Sequence, residues 1–116
     1  MMIKVYGIKN CNTMKKTFDL LESEEIDYVF EDYKKTKPSE EFLNHVIEKI
    51  GLSSVVNKKG TTYRKLNEED KLQLEEVNTA IPLLIQYSSM IKRPILKSAV
   101  GEFIVGYEED QIRKLK

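Results

Sequence analysis

The chain begins with a period-two pattern and then changes period. Ile3, Val5 and the ring of Tyr6 predict a short buried strand over about 2–6. Gly7 to Asn10 predict a turn. From about 12 to 24, Met14, Thr17, Phe18 and Leu21 recur at helical spacing, with Lys15, Lys16, Asp19 and Glu22 toward water. Asp27-Tyr28-Val29-Phe30-Glu31 is aromatic and β-branched, which predicts a second strand. A strand, a helix and a strand in so short a stretch form a βαβ unit, whose crossover makes the strands parallel and right-handed.

Pro38 and Ser39 then open a helix whose apolar face is Phe42, Leu43, Val46, Ile47 and Ile50, stopped by Gly51. Residues 53–56 add a short helical turn, and the polar stretch 57–62 predicts a loop. Asn67-Glu68-Glu69-Asp70 has the form of a capped, acidic helix start. Asn78 or Thr79 is the expected cap of the next helix, with Pro82 in its first turn, where no N–H is needed. Ala80, Ile81, Leu83, Leu84, Ile85, Tyr87, Met90 and Ile91 make this the most apolar segment, expected to be largely buried. Residues 94–97 and 101–106 predict an antiparallel hairpin, and the acidic-to-basic run from Glu108 to Lys116 predicts a dipole-matched terminal helix. The simplest packing of this α/β string is a thioredoxin-like (glutaredoxin-like) four-stranded mixed sheet. It occupies a single domain over 1–116 with a helical insertion at about 36–91.

At 116 residues the chain suits one compact core. Nineteen basic residues balance nineteen acidic ones, so nothing global suggests direct nucleic-acid or membrane binding. No apolar run approaches membrane-spanning length, and the N-terminus enters a strand without a signal-peptide pattern. A lone cysteine forms no internal disulfide, which makes the cytoplasm the default compartment. One Cys, one His and scattered carboxylates give no metal-ligand spacing. His45, the only histidine, projects away from the apolar face of its helix and is expected to be exposed.

Candidate chemistry therefore centres on Cys11, placed where the first strand hands over to a helix. Unpaired N–H groups and the positive end of the helix dipole favour thiolate there, and the thiolate is the nucleophile. Lys9, Lys15 and Lys16 add positive charge nearby in sequence. From position alone, a buried small hydrophobe is an equal alternative.

The block Tyr6-Gly7-Ile8-Lys9-Asn10-Cys11-Asn12-Thr13-Met14-Lys15-Lys16 resembles the N-terminal motif of the arsenate reductase (ArsC)/Spx superfamily. Gly60-Thr61-Thr62-Tyr63-Arg64-Lys65-Leu66 resembles a second block, typical of its YffB-like branch. Ile91-Lys92-Arg93-Pro94-Ile95-Leu96 resembles a third, and Val100-Gly101 to Gly106-Tyr107 a fourth. The resemblance spans nearly the whole chain, in order. It implies a glutaredoxin-like fold with a helical insertion. It also implies a thiol-dependent oxidoreductase with Cys11 as nucleophile, no tightly bound cofactor, and glutathione or glutaredoxin as external thiol. It places Pro94 as a cis-proline opposite the cysteine, with Arg93 offering its guanidinium to a carboxylate or oxyanion.

Asn10 and Asn12, which flank the thiol, are candidate hydrogen-bond donors, or ordinary turn and cap residues. Arg93 and Pro94 alternatively read as a solvent-facing arginine beside a strand-entry proline. Arg64, with Thr61 and Thr62, is a weaker substrate-binding candidate on a polar loop. Two departures from the family pattern bear on function. The arginines that hold the oxyanion in arsenate reductases of this type fall near Asn57, on Arg93 and near Gly106, so only Arg93 keeps the type. The C-x-x-C switch usual in the regulators has Met14 at its second position. Two alternatives to the oxidoreductase stay open: a regulator that lacks that switch and binds the C-terminal domain of the RNA polymerase α subunit, and a glutathione-coupled arsenate reductase.

Overall fold

The computed structural model describes residues 2–116. The elements run β1 (Ile3–Gly7), α1 (Asn12–Ser23), β2 (Tyr28–Asp32), α2 (Glu40–Ile50), α3 (Leu52–Val55), α4 (Thr61–Arg64), α5 (Glu68–Gln73), α6 (Val77–Gln86), a 3-10 turn (Ser88–Met90), β3 (Ile95–Lys97), β4 (Phe103–Val105) and α7 (Glu109–Arg113). The chain divides into two compact units. One runs up to Thr36 and resumes at Arg93; the other is Lys37–Lys92.

The first unit is a four-stranded mixed sheet in the order β2-β1-β3-β4. β1 and β2 are parallel, from Ile3↔Tyr28 to Gly7↔Asp32. β3 is antiparallel to both β1 and β4. Alternation along β1 sends Ile3, Val5 and Gly7 inward. Ile3 and Val5 join Met14, Leu20, Leu21, Ile26, Leu96 and Ile112 in the core beneath α1 and α7. Phe18 is half-buried, stacked on Tyr28 at 5.5 Å between centroids and edge-on to Phe30 at 5.0 Å. α1 ends through Glu25, whose φ of 58° turns the chain so that the Ile26 N–H reaches the Leu21 carbonyl at 2.9 Å.

In the second unit α2 packs on α6, and Val56 bridges Ile91. The Ser39 hydroxyl caps α2 by accepting from the Phe42 N–H at 3.0 Å, and Asn67 caps α5 through Asp70. His45 is exposed on α2. Three expectations fail here. α6 starts at Val77, so Pro82 lies inside the helix rather than in its first turn. Thr79 does not cap it: its hydroxyl donates to the Gln73 and Glu76 carbonyls at 2.5 and 3.2 Å. Pro82 and Asn78 are both exposed, so the carbonyl that the proline leaves unbonded can face water. The stretch expected as loop runs into the helical turn of α4, which carries Arg64. In the apolar segment Ala80, Ile81, Leu84, Met90 and Ile91 are buried, whereas Tyr87 is 38% exposed. No helix among the described residues is long and apolar enough to cross a membrane.

Candidate active site

Cys11 ends the loop that follows β1 and is the N-cap of α1, with the extended backbone of that position (φ −151°, ψ 133°). Its carbonyl accepts the first helical bond, from the Lys15 N–H at 3.0 Å. No oxygen closes this helix end. The Met14 and Thr13 N–H groups and the Arg93 side chain each favour the ionised form of the sulfur. The thiol is partly exposed. Burial, the largest single influence, pushes its pKa up. The Met14 N–H, the Arg93 hydrogen bond, the Thr13 N–H and the Arg93 charge together outweigh it, so the pKa lies below the ordinary thiol value. Lys9, Lys15 and Lys16 were expected to supply the positive charge. All three are exposed, and the cation that lowers the thiol is Arg93. α1 also carries no acidic residue in its first turn to oppose a thiolate.

Arg93 reaches the sulfur because of the sheet register. Tyr6 pairs with Ile95, so the residues before β3 stand beside the end of β1 that leads to Cys11. The Arg93–Pro94 peptide is cis, as the resemblance implied, and Pro94 is buried. The Pro94 carbonyl accepts from the Gly106 N–H at 2.8 Å. Gly7 packs closely on the end of the Met14 side chain. A Cβ there would lie 2.6 Å from Met14 Sδ and 3.7 Å from Arg93 Cβ. Met14, fully buried, thus fills the place where the regulators carry a second cysteine.

The other candidates differ in placement. Asn10 and Asn12 are exposed on either side of Cys11, and among the described residues neither side chain forms a hydrogen bond. Arg64 belongs to the second unit, is exposed, and donates through Nη2 to the Lys59 carbonyl at 2.7 Å, within its own loop. Gly106 has a φ of 82°, a backbone state that disfavours the arginine of the arsenate reductase pattern. Asn57 lies in the second unit, where its side chain accepts from the Lys59 N–H at 3.2 Å.

Tyr33 escaped the sequence reading. Its N–H extends the β1/β2 pairing by donating to the Gly7 carbonyl at 2.8 Å. The residue is 3% exposed, and its hydroxyl has no hydrogen-bond partner among the described residues. Burial drives its pKa far up, Tyr6 adds to this, and Arg93 opposes it. Burial and then Glu31 likewise raise Tyr6. Only the strand pairing one residue past β2 could have signalled Tyr33.

A parallel β-α-β start, an antiparallel pair behind a cis-proline and a cysteine heading α1 define a thioredoxin-like protein. The chain belongs to the ArsC family, whose model matches residues 6–115. Among solved structures it resembles the YffB protein, with a TM-score of 0.92, 38% identity and 98% of each chain covered. It also resembles an arsenate reductase (ArsC) related protein from Brucella melitensis, with a TM-score of 0.77, 38% identity, and 98% of this chain and 93% of that one covered. An uncharacterized protein of Haemophilus influenzae is 36% identical over 110 residues, 95% of each chain. Global transcriptional regulator Spx 2 of Bacillus cereus is 26% identical over 116 residues, covering 97% of this chain and 86% of the relative.

Proposed function

We propose that the protein is a thiol-dependent oxidoreductase in which Cys11 is the nucleophile and glutathione or glutaredoxin is the external thiol. The observation that carries this reading is the sulfur at the head of α1, facing two backbone N–H groups and Arg93, with its pKa lowered. The thiolate attacks one sulfur of an oxidised substrate's disulfide. A Cys11–S bond forms, the old S–S bond breaks, and the departing thiolate takes up a proton. Met14 cannot resolve the mixed disulfide, so a thiolate from outside must attack it and regenerate Cys11. Two external thiols thereby supply the two electrons, and a new disulfide is released. A reducing, cytoplasmic setting suits this cycle.

The test is mass spectrometry after exposure to glutathione disulfide, followed by turnover of a glutathione mixed disulfide. Wild type is expected to gain one glutathione on Cys11 and to turn over; Cys11→Ser does neither. Full activity in that variant would remove the mechanism. For arsenate as substrate, Asn57 and the positive φ of Gly106 count against a three-arginine oxyanion site. Arsenate-dependent consumption of glutathione at ordinary substrate levels would restore that reading.

A second reading is favoured by the likeness to Spx 2 over nearly the full chain. In it the fold docks on the C-terminal domain of the RNA polymerase α subunit and needs no turnover. Capture by that domain, indifferent to Cys11→Ser, would select it.

A further inference from the structure

We propose that the end of the sheet remote from Cys11 is an interface for a second copy of this chain. The two copies are related by a two-fold axis, and the Val100 turn of each seats in a cleft of the other. Turn and cleft both belong to the first unit. β1 begins there at Ile3 and runs away toward Cys11, so the contact is independent of the thiol chemistry.

The turn between β3 and β4 stands as a ridge. Val100 is 77% exposed, the most of any large apolar side chain among the described residues. The ridge is held in shape. Gly101 takes a φ of 87°, its N–H reaches the Ser98 carbonyl at 3.0 Å, and the Glu102 N–H reaches the Ser98 hydroxyl at 3.0 Å. A knob so fixed loses little freedom on docking. Beside it opens a cavity of about 460 Å³ whose lining includes Ile3, Ile26 and Leu115. A second hollow against the same turn is lined by Lys4, Lys97 and Met2, which is 52% exposed. Ile3 and Lys4 point to opposite faces of the sheet, so the two hollows flank the ridge. Apolar groups gathered at one exposed end mark a contact surface.

The charges say what covers it. Lys4 and Lys97 stand directly opposite each other across β1 and β3, a like-charge pair that a sheet disfavours. Glu25 and Asp27 line the other cavity. Among the described residues none of these four forms an ion pair. A two-fold contact is self-complementary. When each Val100 enters the other copy's larger cavity, the two ridges lie side by side. The outer wall of each cavity then overlies the second hollow of the other copy. Glu25 and Asp27 of one copy meet Lys4 and Lys97 of the other, twice over. The balanced formal charge of the chain sets up no overall repulsion between copies. A partner of one charge sign would answer only half of this surface.

Sedimentation equilibrium tests this, with a reductant present so that no Cys11–Cys11 disulfide mimics the contact. At low ionic strength the mass of wild type is expected to rise from 13.5 kDa toward twice that. The rise should fall between about 10 μM and about 1 mM, as for a contact at the small end of the interface range. Val100→Asp is expected to stay at 13.5 kDa throughout. Lys4→Glu with Lys97→Glu, and Glu25→Lys with Asp27→Lys, are each expected to stay monomeric alone. Mixed in equal amounts, these two double variants regain association, because each now carries the charges the other lacks. Wild type that stays monomeric at about 1 mM overturns the proposal without any variant and leaves the cleft to a different protein. Association of Val100→Asp equal to that of wild type overturns it by placing the contact elsewhere. A monomeric mixture of the two double variants, with wild type dimeric, overturns it as well.

Discussion

Two helices of this protein begin with the same backbone device and put it to different uses. Ser39 heads α2 and Cys11 heads α1, both with extended φ/ψ. Ser39 makes a short oxygen bond to the Phe42 N–H, and Glu40 and Glu41 complement the helix dipole in the first turn. That end is neutralised. At α1 the first turn has no acid, and the N–H groups converge on a polarisable sulfur that can ionise. An N-cap is a structural fixture when its charge is already answered. It becomes a site of chemistry when the answer is left to a titratable group with a cation behind it.

The sharpest way to break this comparison is to exchange the caps. Cys11→Ser abolishes thiol labelling, while the fold persists because serine is a strong N-cap. Adding Ser39→Cys restores one thiol, but beside Glu40 and Glu41. Its iodoacetamide rate at neutral pH is expected to be more than about tenfold below that of wild-type Cys11, since reactivity follows thiolate character. Equal rates would show that any N-cap suffices. Next in size is Arg93→Ala. The thiol keeps its N–H donors and loses the guanidinium, so the midpoint of its alkylation profile moves to higher pH. The neutral-pH rate falls about tenfold, as expected for one charge-assisted hydrogen bond. An unmoved midpoint would assign the lowered pKa to the backbone alone.

Ser39→Ala tests the other side. It is expected to cost about 1 kcal/mol in denaturant titration and to leave the Cys11 profile unchanged. The smallest effect is linkage. The folded pKa of Cys11 is depressed, so its thiolate stabilises the fold above the unfolded thiol value of about 8.5. That contribution fades as pH drops through the lower, folded value. Melting curves of wild type against Cys11→Ser should therefore diverge in favour of wild type toward alkaline pH. A constant difference would contradict the shift.

The sequence went far toward the fold because its strongest signals are local. Period-two alternation in β1, the helical spacing of Met14, Thr17 and Leu21, and the serine at the head of α2 each name an element without reference to the rest. The same local reading went wrong where neighbours intervene. Pro82 marked a helix start by its missing N–H, yet α6 tolerates it midway because its outward face is wet. Arg64, singled out by a family motif and not by local pattern, donates to the Lys59 carbonyl.

For the site, the chain by itself determined the address of the proposed nucleophile. A turn, a cysteine and an amphipathic helix in succession set Cys11 at a helix start, and Met14 removed any internal resolving thiol. Tertiary structure decided what surrounds the sulfur. Lys9, Lys15 and Lys16, near in sequence, point to water, while Arg93, more than eighty positions away, supplies the charge because β3 pairs with β1 in one register. Tyr33 joins the end of β1 through a strand pairing that no periodicity reveals. Electrostatics acts through space and not along the chain, so composition and spacing named the candidate sulfur and only the sheet could name its partners.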